Sequence, residues 1–276
     1  MIIHDLHSHS TASDGVLSPR ALVERAASMG VHVLALTDHD ELSGLAEARA
    51  TALQVGIRLV HGVEISITWH TQSIHIVGLN VDPASPTLVS GLANNRGGRA
   101  VRAEKMAAEL AKLGIQGALE GAYQFARNKS LIGRTHFARF LVQKGVVKDV
   151  KTVFKKYLVK GKPGYVPHEW AGLEEALDWI HAAGGHAVLA HPGRYLMGRE
   201  KLRLLLSEFK HFGGDAIEVV TGSHTADQVP VFASLAAEFR LMASTGSDFH
   251  APGEGGRELG RLDPLPAQCI PLWSAW

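Results

Sequence analysis

Residues 32–40 read HVLALTDHD, a short apolar run that passes directly into Asp38, His39 and Asp40. An apolar run of this length, without alternation, predicts a buried parallel strand. Six further runs have the same character: 2–6 (IIHDL), 58–63 (RLVHGV), 74–79 (IHIVGL), 186–190 (HAVLA), 215–220 (DAIEVV) and 241–245 (LMAST). Helices are expected between many of them. Ser18-Pro19 offers an N-cap followed by proline at the first helical position, and Gly30 falls just past the end. Residues 43–55, 172–183, 199–211 and 226–239 also read as helices. Strands alternating with helices predict an α/β fold with a parallel sheet, and seven of them suit a barrel better than an open sheet.

Residues 98–168 break the alternation. They read as helices over 99–114, 119–127, 135–145 and 149–161, with no clear strand. The expected organisation is therefore a barrel from residues 1–97 and 169–276, carrying a helical insertion at 98–168. The insertion coincides with a charge block. Residues 96–162 hold 16 Lys+Arg against four Asp+Glu, while the rest of the chain holds 12 against 23. The formal net charge of +1 thus hides a basic segment set in an acidic body. Such a block suits an anionic ligand. Arg96, Arg99 and Arg102 are spaced to project from neighbouring positions of one helix.

At 276 residues and 46% hydrophobic content, the chain can bury one large core plus a small insert. The single cysteine, Cys269, excludes an internal disulfide framework and a cysteine-based zinc site, and points to a reducing cytoplasm. The start, MIIHDLHSHS, lacks the basic and apolar regions of a signal peptide. No apolar run approaches the ~20 residues of a membrane span. Neither a Walker loop nor GxGxxG occurs, so nucleoside triphosphatase and dinucleotide-dependent redox chemistry have no support.

The 16 histidines are the unusual feature. The first strand leads into His7 and His9, with Asp14 five residues on; the second into His39; the third into Glu64; the fifth into His191; the last into Asp248 and His250. His75 lies inside the fourth run. The C-terminal strand ends form the active face of parallel α/β barrels. Residues at i and i+2 on an extended segment point the same way, so His7 with His9, and Asp248 with His250, can each grip one ion. Six histidines and three carboxylates at successive strand ends read as a metal centre. With no thiolate, it suits Zn, Mn or Fe(II).

The segments DLHSHSTASDG (5–15), LTDHD (36–40), GVEIS (62–66), IHIVG (74–78), LAHPG (189–193) and GSDFH (246–250) resemble the successive motifs of the PHP (polymerase and histidinol phosphatase) family. The resemblance runs in order along nearly the whole chain, with all nine metal positions filled. It implies a distorted seven-stranded (β/α) barrel and up to three divalent ions, manganese first, with Fe(II) or zinc as alternatives. By the family pattern one ion falls to His7, His9, Glu64 and Asp248. A second falls to Glu64, His75 and His191, with Glu64 bridging, and a third to Asp14, His39 and His250. Glu64, Asp248 and His191 are the implied catalytic group. The basic insertion resembles that of a branch acting on nucleoside 3′,5′-bisphosphates or trimming RNA.

With the three ions that the resemblance implies, charge arithmetic points to a phosphate ester. Three divalent ions bring about +6 and three carboxylates about −3, leaving a centre that attracts an anion. Arg134 and Arg194 are the leading candidates for a phosphate clamp, because guanidinium binds phosphate in two-pronged fashion. Thr135 stands beside Arg134 at an expected helix start. Arg99, Arg102 and His224 are further candidate substrate contacts, and Asp38 a candidate support for the ligands. Tyr123, Phe125 and Phe137 could stack on a base, although aromatics in a helical insert are more often core. His4, His32, His61, His70, His136, His168, His181, His186 and His211 belong to no motif and read as surface or core. The expected substrate is a small phosphorylated nucleotide or a short oligonucleotide, with no membrane and no stable protein partner. Histidinol phosphate suits so many arginines poorly. A polymerase-associated module and a lysine-bridged amidohydrolase are the remaining competitors.

Overall fold

The computed structural model describes residues 2–254 and 256–276. Seven strands follow one another around a single sheet in chain order: β1 (His4–Asp5), β2 (Val33–Leu36), β3 (Arg58–Trp69), β4 (Gln72–Leu79), β5 (His186–Leu189), β6 (Ala216–Thr221) and β7 (Met242–Gly246). The sheet closes on itself. Leu6 N–H donates to Thr245 O at 3.0 Å, and Ser8 forms a parallel bridge with Phe249. The helices are α1 (Pro19–Ser28), α2 (Leu45–Val55), α3 (Pro86–Arg96), α4 (Arg99–Ala111), α5 (Ala118–Phe125), α6 (Arg134–Gln143), α7 (Val150–Val153), α8 (Leu173–Ala182), α9 (Arg199–His211) and α10 (Gln228–Glu238).

The seven-stranded barrel is as expected, and its parallel order is broken at one strand. β4 runs antiparallel to both β3 and β5, while the other described pairs are parallel. The cause is the connection. Only His70 and Thr71 separate β3 from β4, whereas a parallel return needs a dozen or more residues. His70 takes φ 50° to make that turn. β3 also continues through Glu64 to Trp69, well past the expected end at 63. Because β4 is reversed, its early residues share the barrel end reached late by the parallel strands. His75, the fourth residue of β4, pairs in register with Ser66 and so reaches the same face as Glu64.

Helix α3 was not expected, yet Ser85-Pro86 repeats the signature of Ser18-Pro19. At α1 the Ser18 side chain accepts from Ala21 N–H; at α3 no such bond forms. The barrel interior is filled by Leu6, Ala35, Val60, Val77, Leu79, Val188 and Ala216, with Leu272, Trp273 and Trp276 packed on the same cluster. Ring stacking of Trp273 on His4 at 4.1 Å holds that segment down. Helices α4 to α7, with a π-helical turn at Phe154–Leu158, share a separate cluster that includes Met106, Leu110, Phe137, Leu141 and Leu158. Phe137 is fully buried there and Tyr123 packs against it. Neither lines the pocket described below, because the apolar face of the insertion needs them.

Gly246 is where β7 meets β1 most tightly. A Cβ at this position would lie 2.2 Å from His7 Cβ and 2.7 Å from His7 N. Gly246→Ala should therefore destabilise the metal-free protein by at least ~1–3 kcal/mol, the usual cost of overpacking. Urea denaturation checks this; an unchanged midpoint would contradict the close approach.

Candidate metal centre

The strand ends bring all nine candidate ligands into one cluster. His7 Nε2, His9 Nε2, Glu64 Oε2 and Asp248 Oδ1 converge, with His7 3.1 Å from His9, 3.3 Å from Glu64 and 3.5 Å from Asp248. His9 lies 3.2 Å from Glu64 and 3.3 Å from Asp248. On the other oxygen of Glu64, Oε1, His75 Nδ1 approaches to 2.7 Å and His191 Nε2 to 2.9 Å. His39 Nδ1 is 2.9 Å from Oε2. Asp14 meets His250 Nε2 at 3.3 Å and His39 Nε2 at 3.9 Å. Three donor groups result: His7/His9/Glu64/Asp248, His39/Glu64/His75 and His9/Asp14/His39/His250. The first matches the expected set. In the second, His39 joins where His191 was expected, although His191 shares the Glu64 oxygen with His75. The third gains His9.

These donors fit a divalent cation. A tetrahedron with edges of 3.1–3.5 Å has its centre about 2 Å from each vertex, the length of zinc–nitrogen and zinc–oxygen bonds. His9 Nδ1, Asp14 Oδ1, His39 Nδ1, Glu64 Oε2 and His191 Nδ1 are buried without a hydrogen-bond partner, an expensive arrangement unless something else satisfies part of it. Imidazole and carboxylate donors suit first-row divalent metals.

Above the cluster lies a pocket. Its lining joins Asp14, Glu64, His191, Asp248 and His250 to Arg99, Arg102, Arg134, Thr135, Arg194, Phe154 and Trp170. Arg194 NH1 donates to Asp248 Oδ2 at 2.6 Å, which ties it to the ligands themselves. Arg99 pairs with Asp40 and stacks over Trp170 at 4.5 Å, so its charge is largely neutralised within the protein. Arg102 donates only to Val166 O, at 3.0 Å, and Arg134 only to Leu158 O, at 3.4 Å. Among the described residues neither has an acidic partner. Burial, then Arg134 and Arg99, lower the Arg102 guanidinium to about 9; burial likewise lowers Arg134. Two partly desolvated cations without a counter-charge make a strong anion site. The aromatic residues at the pocket are Phe154 and Trp170 rather than Tyr123, Phe125 or Phe137.

A family model described as "PHP domain" matches residues 5–218. The chain belongs to the PHP family. It is 53% identical over 269 residues to a 3′,5′-nucleoside bisphosphate phosphatase of Chromobacterium violaceum, covering 98% of this chain and 94% of that one. It is 47% identical to the 5′-3′ exoribonuclease Rnm of Escherichia coli K12, covering 100% and 94%. A solved Chromobacterium violaceum structure, described as an amidohydrolase with bound sulfate and no metal, superposes with a TM-score of 0.95 at 51% identity, covering 99% of this chain and 95% of that one.

Several residues that hold the PHP cluster in place carry no sequence motif. Glu218, in the middle of β6 and 1% exposed, accepts from His7 Nδ1 at 2.8 Å and from His191 N–H at 2.6 Å. A carboxylate can only accept, so Nδ1 of His7 carries a proton and Nε2 is the nitrogen left to meet an ion. The one hint was an acid inside an otherwise apolar strand. Asn95, on the unexpected helix α3, donates to Asp40 Oδ1 and to Ser66 O. Among the described residues Asp38 makes no hydrogen bond to a ligand side chain; it accepts from Ser10 N–H, Ser10 Oγ and Ser13 Oγ, fixing the turn that delivers Asp14. His224, a candidate substrate contact, does not line the pocket and is engaged by backbone groups. Its Nε2 accepts from Gly193 N–H at 3.0 Å, so Nδ1 donates to Val219 O, and the ring stacks on Phe232 outside the pocket. Asp40, His191 and Asp248, at or beside the cluster, adopt φ of 48°, 29° and 55°; His70, Asn80 and Arg240 also take positive φ elsewhere.

The imidazoles of this PHP cluster predict proton release. Burial opposes a charge on His9, but the close Asp248 and Glu64 carboxylates outweigh it and raise the ring to about 10. Raised above the ordinary 6.5, it stabilises the metal-free fold fully below that value and ceases to do so as pH rises through about 10. Near neutral pH the proton is therefore in place, and a cation must displace it. Calorimetric titration of metal into metal-free protein should give net proton release across buffers of different ionisation enthalpy. Affinity should climb between about pH 6.5 and 8.5. Binding without proton release would place a neutral His9 in the metal-free state.

Proposed function

We propose that this protein is a metal-dependent phosphatase that hydrolyses nucleoside 3′,5′-bisphosphates to the nucleoside 5′-monophosphate and inorganic phosphate. The carrying observation is one pocket lined on one side by candidate metal ligands and on the other by Arg102 and Arg134, which have no acidic partner among the described residues. A substrate with two phosphates matches both. The name of the 53% identical relative supports the same reading. In it, the barrel of residues 1–97 and 169–276 carries the ions and the insertion at 98–168 holds the distal phosphate.

Up to three ions are proposed, manganese foremost and Fe(II) or zinc as substitutes, held by His7, His9, Glu64 and Asp248; by Glu64, His75 and His191 with His39; and by Asp14, His39 and His250. Bound there, divalent ions supply Lewis acidity that activates water at neutral pH and offsets phosphoryl charge. The chain's own residues do the rest. Glu64 presents both oxygens to the cluster and offsets repulsion between cations. Arg194, anchored on Asp248, stabilises the reacting phosphoryl oxygens. Arg134 and Thr135 hold the second phosphate at the start of α6, where backbone N–H groups add to the attraction. Arg99, paired with Asp40, shapes the site more than it charges it. The amidohydrolase alternative lacks its bridging lysine, since no described strand carries one. No described helix is long and apolar enough to cross a membrane. The cytoplasm is the proposed compartment.

A second reading, 5′-3′ trimming of short oligonucleotides, is favoured by the 47% identical exoribonuclease. Manganese-loaded protein assayed against a 3′,5′-bisphosphate and a 5′-phosphorylated oligonucleotide separates them; higher kcat/KM on the oligonucleotide would overturn the first.

Arg134→Ala should lose about 10- to 100-fold in kcat/KM on a 3′,5′-bisphosphate, the value of one charge-assisted contact. On nitrophenyl phosphate, which has no second phosphate, the loss should be far smaller. Equal losses on both would assign Arg134 to the reacting group, and no loss on either would remove the two-phosphate argument.

A further inference from the structure

Arg139 lies on α6, five residues beyond Arg134, and its side chain is 6% exposed. It does not line the pocket. Its NH1 donates to the backbone carbonyl of Asp14 at 2.5 Å. Its Nε and NH2 donate to the two oxygens of Glu254 at 3.2 and 2.8 Å. Asp14 lies on the loop after β1, whereas Glu254 lies four residues past His250 on the segment after β7. These two segments supply Asp14 and His250 to the same donor group. Val16 N–H donating to His250 O at 2.9 Å is a further link between them.

We propose that Arg139 is a positioning residue for the Asp14/His39/His250 ion site, so that this ion depends on the insertion while the His7/His9/Glu64/Asp248 ion does not. The inference rests on the proposal that Asp14, His39 and His250 hold an ion. The chemistry favours arginine for the task. A rigid fork with several donors can grip a carbonyl on one loop and a carboxylate on another at once, whereas a lysine ammonium presents a single point charge. With the Asp14 backbone fixed at its carbonyl, the carboxylate has little freedom except toward His250 and His39. Among the described residues no side chain of the insertion hydrogen-bonds to the first group, whose Asp248 is held by Arg194 of the barrel and whose His7 is fixed by Glu218. Losing an outer contact of this kind typically weakens a metal site by about 10–100-fold.

The test uses the full chain, stripped of metal and titrated with Mn²⁺, counting bound ions and their affinities by equilibrium dialysis. Wild type should bind three ions. Arg139→Ala should bind the first two as wild type does and the third about 10–100-fold more weakly. Arg139→Lys should recover only part of that loss. Glu254→Gln, which leaves the buried guanidinium in place, should weaken the third ion alone. The double variant Arg139→Ala/Glu254→Ala should be less than additive. A merely structural role would lower the melting temperature of the metal-free protein and weaken every ion equally, and that result overturns the proposal. So does wild-type affinity for the third ion in both Arg139→Lys and Glu254→Gln. If wild type itself binds two ions, the ion reading of Asp14, His39 and His250 fails, and the role of Arg139 with it.

Discussion

One carboxylate organises this molecule. Glu64 is fully buried, and the imidazole nitrogens of His7, His9, His39, His75 and His191 all lie within 3.3 Å of its two oxygens. Those histidines come from β1, β2, β4 and β5 or the residues that follow them. Burial raises the carboxyl, but the surrounding His39, His75 and His7 overcome it and hold the group well below its usual range. A charge so placed has no tolerable environment in an apolar core without partners. The barrel end must therefore close around it in one register, since a slip of one residue would turn Glu64 to the opposite face.

That requirement explains why the sheet changes direction where it does. Glu64 bridges in parallel to His39 and pairs antiparallel with Val77 on β4. It stands at the seam between the parallel strands and the hairpin. The two-residue turn at His70 and Thr71 lets His75 approach from the reversed strand, a position that a long parallel crossover would not have delivered. Gly62 serves the same seam: a Cβ there would lie 2.7 Å from Thr37 Cγ2, so β3 can approach β2 only without a side chain at that point.

What could be read in advance divides along physical lines. The ligand candidates were legible because each follows a short apolar run, and the run fixes which end of the barrel it reaches. The direction of β4 was less so, because the segment between the expected strand ends at 63 and 74 is itself extended and leaves only two residues for the turn. Glu218 escaped notice because its apolar neighbours hint only that the acid is buried, while its partner His7 lies 211 residues away. The arginines show the same limit. Arg99, Arg102 and Arg134 look alike in sequence, yet Asp40 neutralises only Arg99. Partnership of this kind is a tertiary property, and charge counts over a window cannot resolve it. His224 shows the same limit: its loop is a strand end, yet both ring nitrogens are engaged by backbone groups that the sequence could not reveal.

The basic block therefore acts at a few points rather than as a general field. Exposed lysines such as Lys151, Lys155 and Lys156 face water, where screening over roughly 8–10 Å blunts their reach. Arg102 and Arg134 are held where water is scarce, between Trp170, Phe154 and one another, and each unit of charge there counts for more. Placing them there costs stability that the insertion must supply from its own apolar cluster around Phe137 and Leu141. Helix α6 is the element on which these demands meet. Its first turn carries Arg134 and Thr135 into the pocket, its middle buries Phe137, and its next turn sends Arg139 to the Asp14 carbonyl. A rigid helix bearing all three cannot shift its pocket end without pulling on the loop that carries Asp14, so the pocket arginine and the candidate ligand share one mechanical frame.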